Sequence, residues 1–125
     1  MIFFQYKYSM KKAKKFRVYV TYFPDGRYYI GFSQKNEKQY EKYFGSSKEV
    51  LDFDKTLLIK DTIVIFDKKN EAKMQELLLQ WENRFDPNCI NDMLNIRLRS
   101  KFLEKFIPVC WKPRDIRQME LNFHS

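Results

Sequence analysis

A tight-turn signal, Pro24-Asp25-Gly26, separates two runs of β-branched and aromatic residues, Arg17 to Phe23 and Arg27 to Phe32. Proline suits the second position of a tight turn, aspartate accepts hydrogen bonds from the local backbone, and glycine can adopt the positive φ that closes a hairpin. The two runs are therefore predicted to form a β-hairpin. Apolar residues occupy successive positions of the first run, which predicts a strand that is covered on both faces.

The segment after the hairpin combines a polar stretch with two further elements. Residues 33–43 are polar and rich in lysine, and we interpret them as a loop or a short surface helix. Ser46 and Glu49 have the spacing of a capping box, which predicts a short helix that ends near Asp54. Residues 62–66 form an apolar, β-branched run of a length typical of an inner strand.

A longer helix is predicted from about residue 71 to residue 85, with Asn70 as its N-cap. Glu76 lies about one turn after Ala72, whose small side chain leaves space beside the carboxylate. Apolar residues recur in this helix at steps of three and four, and they are predicted to face the core as a stripe that excludes Glu76. The stripe consists of Met74, Leu77, Leu78, Trp81 and Phe85.

Positive charge dominates the composition. The chain has 125 residues, a length suited to one domain, and carries 24 Lys and Arg against 16 Asp and Glu, for a net charge of +8. Fields of this sign attract polyanions, so nucleic acid is the expected partner. The alternative is a protein kept soluble by its lysines.

Two basic blocks flank the middle of the chain, as two arms gripping a nucleic-acid backbone would. The first block contains Lys7, Lys11, Lys12, Lys14, Lys15 and Arg17, and the second contains Arg97, Arg99, Lys101, Lys105, Lys112, Arg114 and Arg117.

Cysteine and histidine are too sparse for several common kinds of site. Cys89 and Cys110 are isolated, and the only histidine is His124. This argues against a zinc site and against Ser-His-Asp or Cys-His nucleophilic catalysis. Any hydrolysis must therefore use carboxylate, tyrosine and metal. A membrane span needs about 18 uncharged apolar residues in a row, and no run in this sequence approaches that length. The start of the sequence also lacks the pattern of a signal peptide. A cytoplasmic protein without a membrane partner is therefore expected.

Four short segments, taken in order, resemble the GIY-YIG nuclease domain. They are Val18-Tyr19-Val20, Tyr29-Ile30-Gly31, Tyr43-Phe44-Gly45-Ser46-Ser47-Lys48, and Asn70-Glu71-Ala72 followed by Glu76. The match covers about residues 16–91, which leaves residues 1–15 as a basic N-terminal arm and residues 92–125 as a basic C-terminal extension. Together with the predicted elements, the resemblance implies an α+β fold in which a small three-stranded antiparallel sheet is flanked by helices.

The resemblance implies an endonuclease that hydrolyses DNA phosphodiester bonds, like the small homing or DNA-degrading enzymes of phages, which act in the cytoplasm of a bacterial host. One Mg²⁺ or Mn²⁺ ion is expected on Glu76, because a divalent ion held by one carboxylate keeps most of its water shell and can bridge the phosphate and the leaving group. No small-molecule cofactor is expected.

The same resemblance implies functional roles for two tyrosines and a glycine. Tyr19 is the candidate for activating or orienting the water, and Tyr29 for binding the scissile phosphate; the alternative for both is packing in the core. A phenol with the ordinary pKa of about 10 is a poor base, so a metal or a lysine must lower the pKa of Tyr19. Gly31 would let the DNA backbone approach the strand, because no side chain stands in the way.

The chain departs from the family in having no arginine between Arg27 and Arg84, where the family ordinarily has one that holds the scissile phosphate. A lysine is expected to supply a point charge instead, and Lys48 is closest to the matching glycine-serine segment. Two alternatives stand beside the endonuclease: a DNA- or RNA-binding protein on the same scaffold that does not cut, and a basic domain whose resemblance is accidental. The residues expected to contact nucleic acid are Arg27, Gly31, Lys35, Lys42, Lys11, Lys12, Lys14 and Lys15.

Overall fold

The computed structural model describes residues 14–91, 103 and 105–114. A three-stranded antiparallel sheet in the order β2-β1-β3 is formed by β1 (Phe16–Tyr22), β2 (Tyr28–Ser33) and β3 (Ile59–Phe66). The helices are α1 (Glu37–Glu41), α2 (Lys48–Leu51) and α3 (Lys69–Glu82), with a 3-10 turn at Lys55–Leu57. The predicted α+β class, with its three-stranded antiparallel sheet and flanking helices, is confirmed. Within the described ranges, the helices are too short or too polar to cross a bilayer.

The hairpin predicted at Pro24-Asp25-Gly26 is confirmed. Gly26 has a φ of 97°, and its amide donates to the Phe23 carbonyl at 3.0 Å. Such a φ is accessible to glycine without the clash that a Cβ would cause. The turn brings β1 and β2 together in a register that pairs Tyr19 with Gly31.

β1 is the central strand, and all seven of its residues are buried, which confirms that both of its faces are covered. The prediction that residues 62–66 form an inner strand is wrong. They belong to β3, which lies at an edge of the sheet, where Ile59 and Ile65 keep 44% and 49% of their surface exposed. An apolar, β-branched run gives the same local signal at an edge as inside a sheet, because strand order depends on distant pairing partners.

The two short helices begin at capping side chains. The polar segment 33–43 contains α1, capped by Asn36, which confirms the short-helix alternative for this segment. Ser47 caps α2 by accepting a hydrogen bond from the Val50 amide at 3.3 Å. The predicted capping box on Ser46 and Glu49 is therefore wrong by one residue, and the helix ends at Leu51, before Asp54.

The long helix α3 buries a different face from the predicted one. It begins at Lys69, so Asn70 lies inside the helix and does not cap it. Trp81 and Phe85 of the predicted stripe are 50% and 84% exposed. The predicted core-facing stripe is therefore wrong. The buried residues of α3 are Ala72, Gln75, Leu79 and Gln80.

Two buried glutamines explain why α3 turns this face inward. Gln75 donates to the Val109 carbonyl at 2.9 Å and accepts from the Val109 amide at 2.6 Å. Gln80 donates to the Ile30 carbonyl at 3.1 Å. A buried amide costs little when its hydrogen bonds are made, so partners distant in sequence decided which side of the helix is covered. Glu76 lies on the same side, one turn from Ala72.

The described part of the C-terminal extension packs on this core. The Trp111 ring lies 5.8 Å from the Tyr28 ring, and Arg114 forms an ion pair with Asp61 at 2.7 Å. Lys14 and Lys15 of the N-terminal arm are exposed. Residues 1–13, which include Lys11 and Lys12, lie outside the described residues, as do residues 92–102, 104 and 115–125.

Candidate functional site

The phenol of Tyr19 lies over the backbone of Gly31, its direct partner across β1 and β2. A Cβ built on Gly31 would overlap Cζ and Oη of Tyr19. The absence of a side chain at Gly31 therefore makes room for the phenol. The expectation that this space admits a DNA backbone is wrong, because Tyr19 fills it.

Three other tyrosine rings surround Tyr19, whose side chain is fully buried. The ring centres of Tyr29, Tyr40 and Tyr43 lie 6.4, 6.0 and 6.0 Å from its own, and the Tyr43 side chain is hydrogen-bonded to it. Tyr29 packs against Gly45, which has a φ of +139° and where a Cβ would come within 2.8 Å of the Tyr29 ring. Backbone conformation and space both require glycine at that position.

A cleft of about 320 Å³ opens beside these tyrosines at the outer edge of β2. Tyr29 and Phe32 both line it, although residues an odd number of positions apart point to opposite faces of a strand. The cleft therefore wraps around the edge of the sheet, and α3 contributes Glu76 to it from one side. Its volume is at the lower end of the range of about 300–1,000 Å³ typical of small-ligand sites.

At the outer edge of β2, the backbone of residues 88–90 pairs with Tyr28, whereas two side chains satisfy the backbone of Ile30 next to the cleft. Asn91 accepts from the Ile30 amide and donates to the Ile30 carbonyl, both at 2.8 Å. Gln80 donates to the same carbonyl, and both side chains line the cleft. Sequence analysis missed Asn91, because a single asparagine after a helix carries no local signal of a distant partner.

Glu76 is the one acid among the described residues that line the cleft. Burial raises its pKa from an ordinary value of 4.5 to about 7, while the nearby charge of Lys73 acts in the opposite direction. Removal from water disfavours the charged form of a carboxyl group. At neutral pH the group is therefore poised between its protonated and charged forms, as is common for carboxyl groups in functional sites.

The surroundings of Glu76 fit a divalent ion that keeps most of its water. Within the described ranges, no three or more His, Cys, Asp or Glu side chains come together as a metal-binding group. Mg²⁺ is often held by one or two carboxylates while water fills its remaining positions. A single, partly buried carboxylate on a cleft of about 320 Å³ meets that requirement.

Burial raises the pKa of Tyr19 well above the ordinary value of 10, and the neighbouring Tyr29, Tyr43 and Glu76 act in the same direction. Burial also raises the pKa of Tyr29, against a smaller lowering by its hydrogen bond with Ser46. The expectation that a lysine lowers the Tyr19 pKa is therefore wrong for the described side chains. Both phenols keep their protons at neutral pH and can donate hydrogen bonds.

Several of the predicted cations do not line the cleft. Lys48, the first residue of α2, and Lys42, just after α1, are both exposed. Arg27 forms an ion pair with Asp25 at 2.7 Å, beside the hairpin turn. None of these three cations belongs to the cleft lining.

Two lysines contact the loop that carries Tyr43. The Lys35 Nζ lies 4.9 Å from the centre of the Tyr43 ring, which places this predicted contact residue next to a cleft residue. Lys60 of β3 donates to the carbonyls of Tyr40 and Tyr43. Burial lowers the pKa of Lys60 to about 8, and the charge of Arg17 acts in the same direction. Lys60 therefore fixes the loop backbone next to the cleft, a role that its sequence context does not reveal.

Lys73 is a cleft residue that sequence analysis missed. It precedes Glu76 by three positions, so both side chains lie on one side of α3, and both line the cleft. Its Nζ lies 5.2 Å from the centre of the Phe32 ring. In the sequence, the spacing of three residues already indicated that Lys73 and Glu76 lie on the same side of a helix. Only the structure shows that this side of α3 faces the cleft.

The raised pKa of Glu76 predicts a pH-dependent stability. Between pH 4.5 and about 7 the folded state holds a proton that the unfolded state releases, so this stabilisation is present below pH 4.5 and is lost as the pH rises through 7. Glu76→Gln should remove the dependence and stabilise the metal-free protein at about pH 8 by up to about 3 kcal/mol. Urea unfolding in EDTA at about pH 5 and about pH 8 measures the difference. A gain equal at both pH values, or one also given by the exposed Glu82→Gln, would contradict this assignment.

No protein-family model, curated protein or solved structure matches the chain. The fold and the cleft therefore define its class: a small α+β protein in which tyrosines, one partly buried carboxyl group and a lysine meet at the edge of an antiparallel sheet.

Proposed function

We propose that this protein is a divalent-metal-dependent nuclease that hydrolyses phosphodiester bonds of DNA in the cleft between β2 and α3. The observation that carries the proposal is that an acid, phenolic donors and a cation line one cleft. The resemblance to the GIY-YIG domain adds support, because Tyr19, Tyr29 and Glu76 come from three separate segments and yet influence one another electrostatically.

Hydrolysis forms a bond between a water oxygen and phosphorus while the bond from phosphorus to the leaving sugar oxygen breaks. The water loses a proton, the leaving oxygen gains one, and negative charge grows on the phosphate oxygens. A bound divalent ion supplies neutralisation of that charge and lowers the pKa of water. Glu76 would hold the ion in its carboxylate form, which predominates above a pKa of about 7.

The tyrosines suit the phosphate side of this reaction. The phenol of Tyr29 lines the cleft and keeps its proton at neutral pH, so it can donate to a phosphate oxygen as charge develops there. Tyr19, buried and hydrogen-bonded to Tyr43, also keeps its proton. Its role is therefore to hold the phenols that line the cleft in place.

DNA is the proposed substrate because of charge. The net charge is +8, and exposed basic residues can neutralise the charge of a phosphate backbone. Contacts of this kind give affinity without reading the bases. The exposed lysines among the predicted contact residues are Lys14, Lys15, Lys35 and Lys42.

The second candidate is a protein on the same scaffold that binds DNA or RNA without cutting it. The raised pKa of Tyr19 favours this candidate, because a phenol that keeps its proton cannot serve as the base. In this case the cleft and the basic surface would hold a phosphate backbone without breaking it.

Incubating the full chain with supercoiled plasmid separates the two candidates. Nicked or linear product in Mg²⁺ or Mn²⁺, with none in EDTA, is the result expected for the nuclease. Retarded plasmid without product in either metal would favour the binding protein. Neither cutting nor retardation would contradict both candidates.

A further inference from the structure

We infer that Lys73 is the cation that binds the reacting phosphate group in the cleft, in place of the arginine that the chain lacks. This inference rests on the proposed function and specifies how the substrate is held. It assigns the phosphate contact to α3, the helix that also carries Glu76, and not to the segment that contains Lys48.

The position of Lys73 is the first observation behind the inference. Among the described residues that line the cleft, Lys73 is the one cation. It lies one turn from Glu76 on the same side of α3, and its charge acts on that carboxyl group. The Phe32 ring lies under the ammonium group, with 5.2 Å between Nζ and the ring centre. An aromatic face attracts a cation without using up its hydrogen-bond donors.

The charge balance of the cleft gives the second reason. A phosphate that enters beside Glu76 meets a group of its own sign, and this repulsion is stronger at a partly buried site than in water. A metal ion held by Glu76 would offset part of this repulsion. The positive charge of Lys73, on the same helix, offsets a further part. The ammonium group has three donors on a flexible four-carbon stem, so it can follow a phosphate oxygen as charge develops.

Lys35 lies against the Tyr43 ring but is exposed and does not line the cleft, and three other described cations are engaged elsewhere. Arg17 donates to the Lys35 carbonyl at 3.0 Å and lies over the Tyr40 ring, 4.6 Å from its centre. Lys60 donates to two backbone carbonyls, and Arg27 is held by Asp25. These cations shape the walls or the turn, whereas Lys73 borders the space that a phosphate would occupy.

The kinetic test compares Lys73→Met, which keeps most of the stem but removes the charge, with Lys69→Met at the exposed start of the same helix. Single-turnover cleavage should slow by about 100-fold in Lys73→Met, while DNA affinity falls less than about threefold. Lys73→Arg should restore the rate to within about tenfold of wild type, and Lys69→Met should change neither quantity by more than about threefold. A Lys73→Met variant whose rate falls no more than its affinity would overturn the inference.

A binding measurement tests the inference even if the wild type does not cut DNA, an outcome that would count against the proposed function alone. Inorganic phosphate is titrated into the metal-free full chain, and amide signals of Ser46, Ser47 and Glu76 are followed by NMR. Wild type and Lys69→Met should show saturable shifts of these cleft signals, and Lys73→Met should lose them. Equal shifts in all three proteins, or no shift in the wild type, would overturn the assignment of Lys73.

Discussion

Glu76→Gln is expected to slow single-turnover DNA cleavage at saturating Mg²⁺ by at least about 10³-fold. Glutamine has nearly the same shape, so the fold is kept, but a neutral amide is a far weaker ligand for a hard divalent ion than a carboxylate. Glu76 is the one acid among the described cleft residues, so no described neighbour in the cleft can replace it. The rate is measured with a labelled DNA duplex, and binding of Mn²⁺ to the free protein is measured in parallel.

The matched control for this prediction is Glu82→Gln, because Glu82 lies on the same helix and is exposed. It should change cleavage by less than about threefold. DNA affinity should stay within about threefold of wild type in both variants, since neither substitution removes a positive charge. Wild-type cleavage by a clean preparation of Glu76→Gln would remove this carboxylate from the mechanism.

Gly31→Ala is expected to destabilise the protein by about 1–3 kcal/mol, the usual cost of overfilling a packed interior. The added Cβ would overlap Cζ and Oη of Tyr19, whose ring is enclosed by three other tyrosines. The phenol must therefore leave its position and disturb Tyr29 and Tyr43. We expect cleavage by the folded fraction to fall about 100-fold, because small displacements of catalytic groups have effects of that size. Urea unfolding and single-turnover cleavage measure the two effects.

A double-mutant cycle with Tyr19→Ala tests the cause of that loss. In the Tyr19→Ala background the space above Gly31 is open, so Gly31→Ala should cost less than about 0.5 kcal/mol. The coupling between the two positions should then account for most of the destabilisation. If Gly31→Ala costs the same in both backgrounds, the overlap with Tyr19 is not its cause.

Local chemistry made the hairpin predictable, and long-range contacts limited the prediction of α3. Pro24-Asp25-Gly26 specifies a turn through the φ angles that proline and glycine allow, whatever surrounds it. In α3, by contrast, apolar spacing predicted a face that the structure leaves partly exposed at Trp81. The face that is buried carries Gln75 and Gln80, whose hydrogen-bond partners lie far away in the sequence.

The residues of the candidate site also fall into two groups, those predicted from the sequence and those found only in the structure. The resemblance to the GIY-YIG domain points to Tyr19, Tyr29 and Glu76, and these three lie close enough to shift one another's pKa. The cation could not be found by proximity along the chain, which favoured Lys48. Lys73 lines the cleft instead, because the rotation of α3 is fixed by contacts with the sheet and with Val109.

The sequence by itself determined the hairpin, because turn and strand preferences are properties of nearby residues, and together with the resemblance to the GIY-YIG domain it predicted the α+β class. Only the tertiary structure decided that β3 lies at an edge, that Gly31 makes room for a phenol, and that burial raises the pKa of Glu76 to about 7. Strand order, side-chain overlap and desolvation all depend on which residues distant along the chain come together in space. Local sequence patterns do not contain that information.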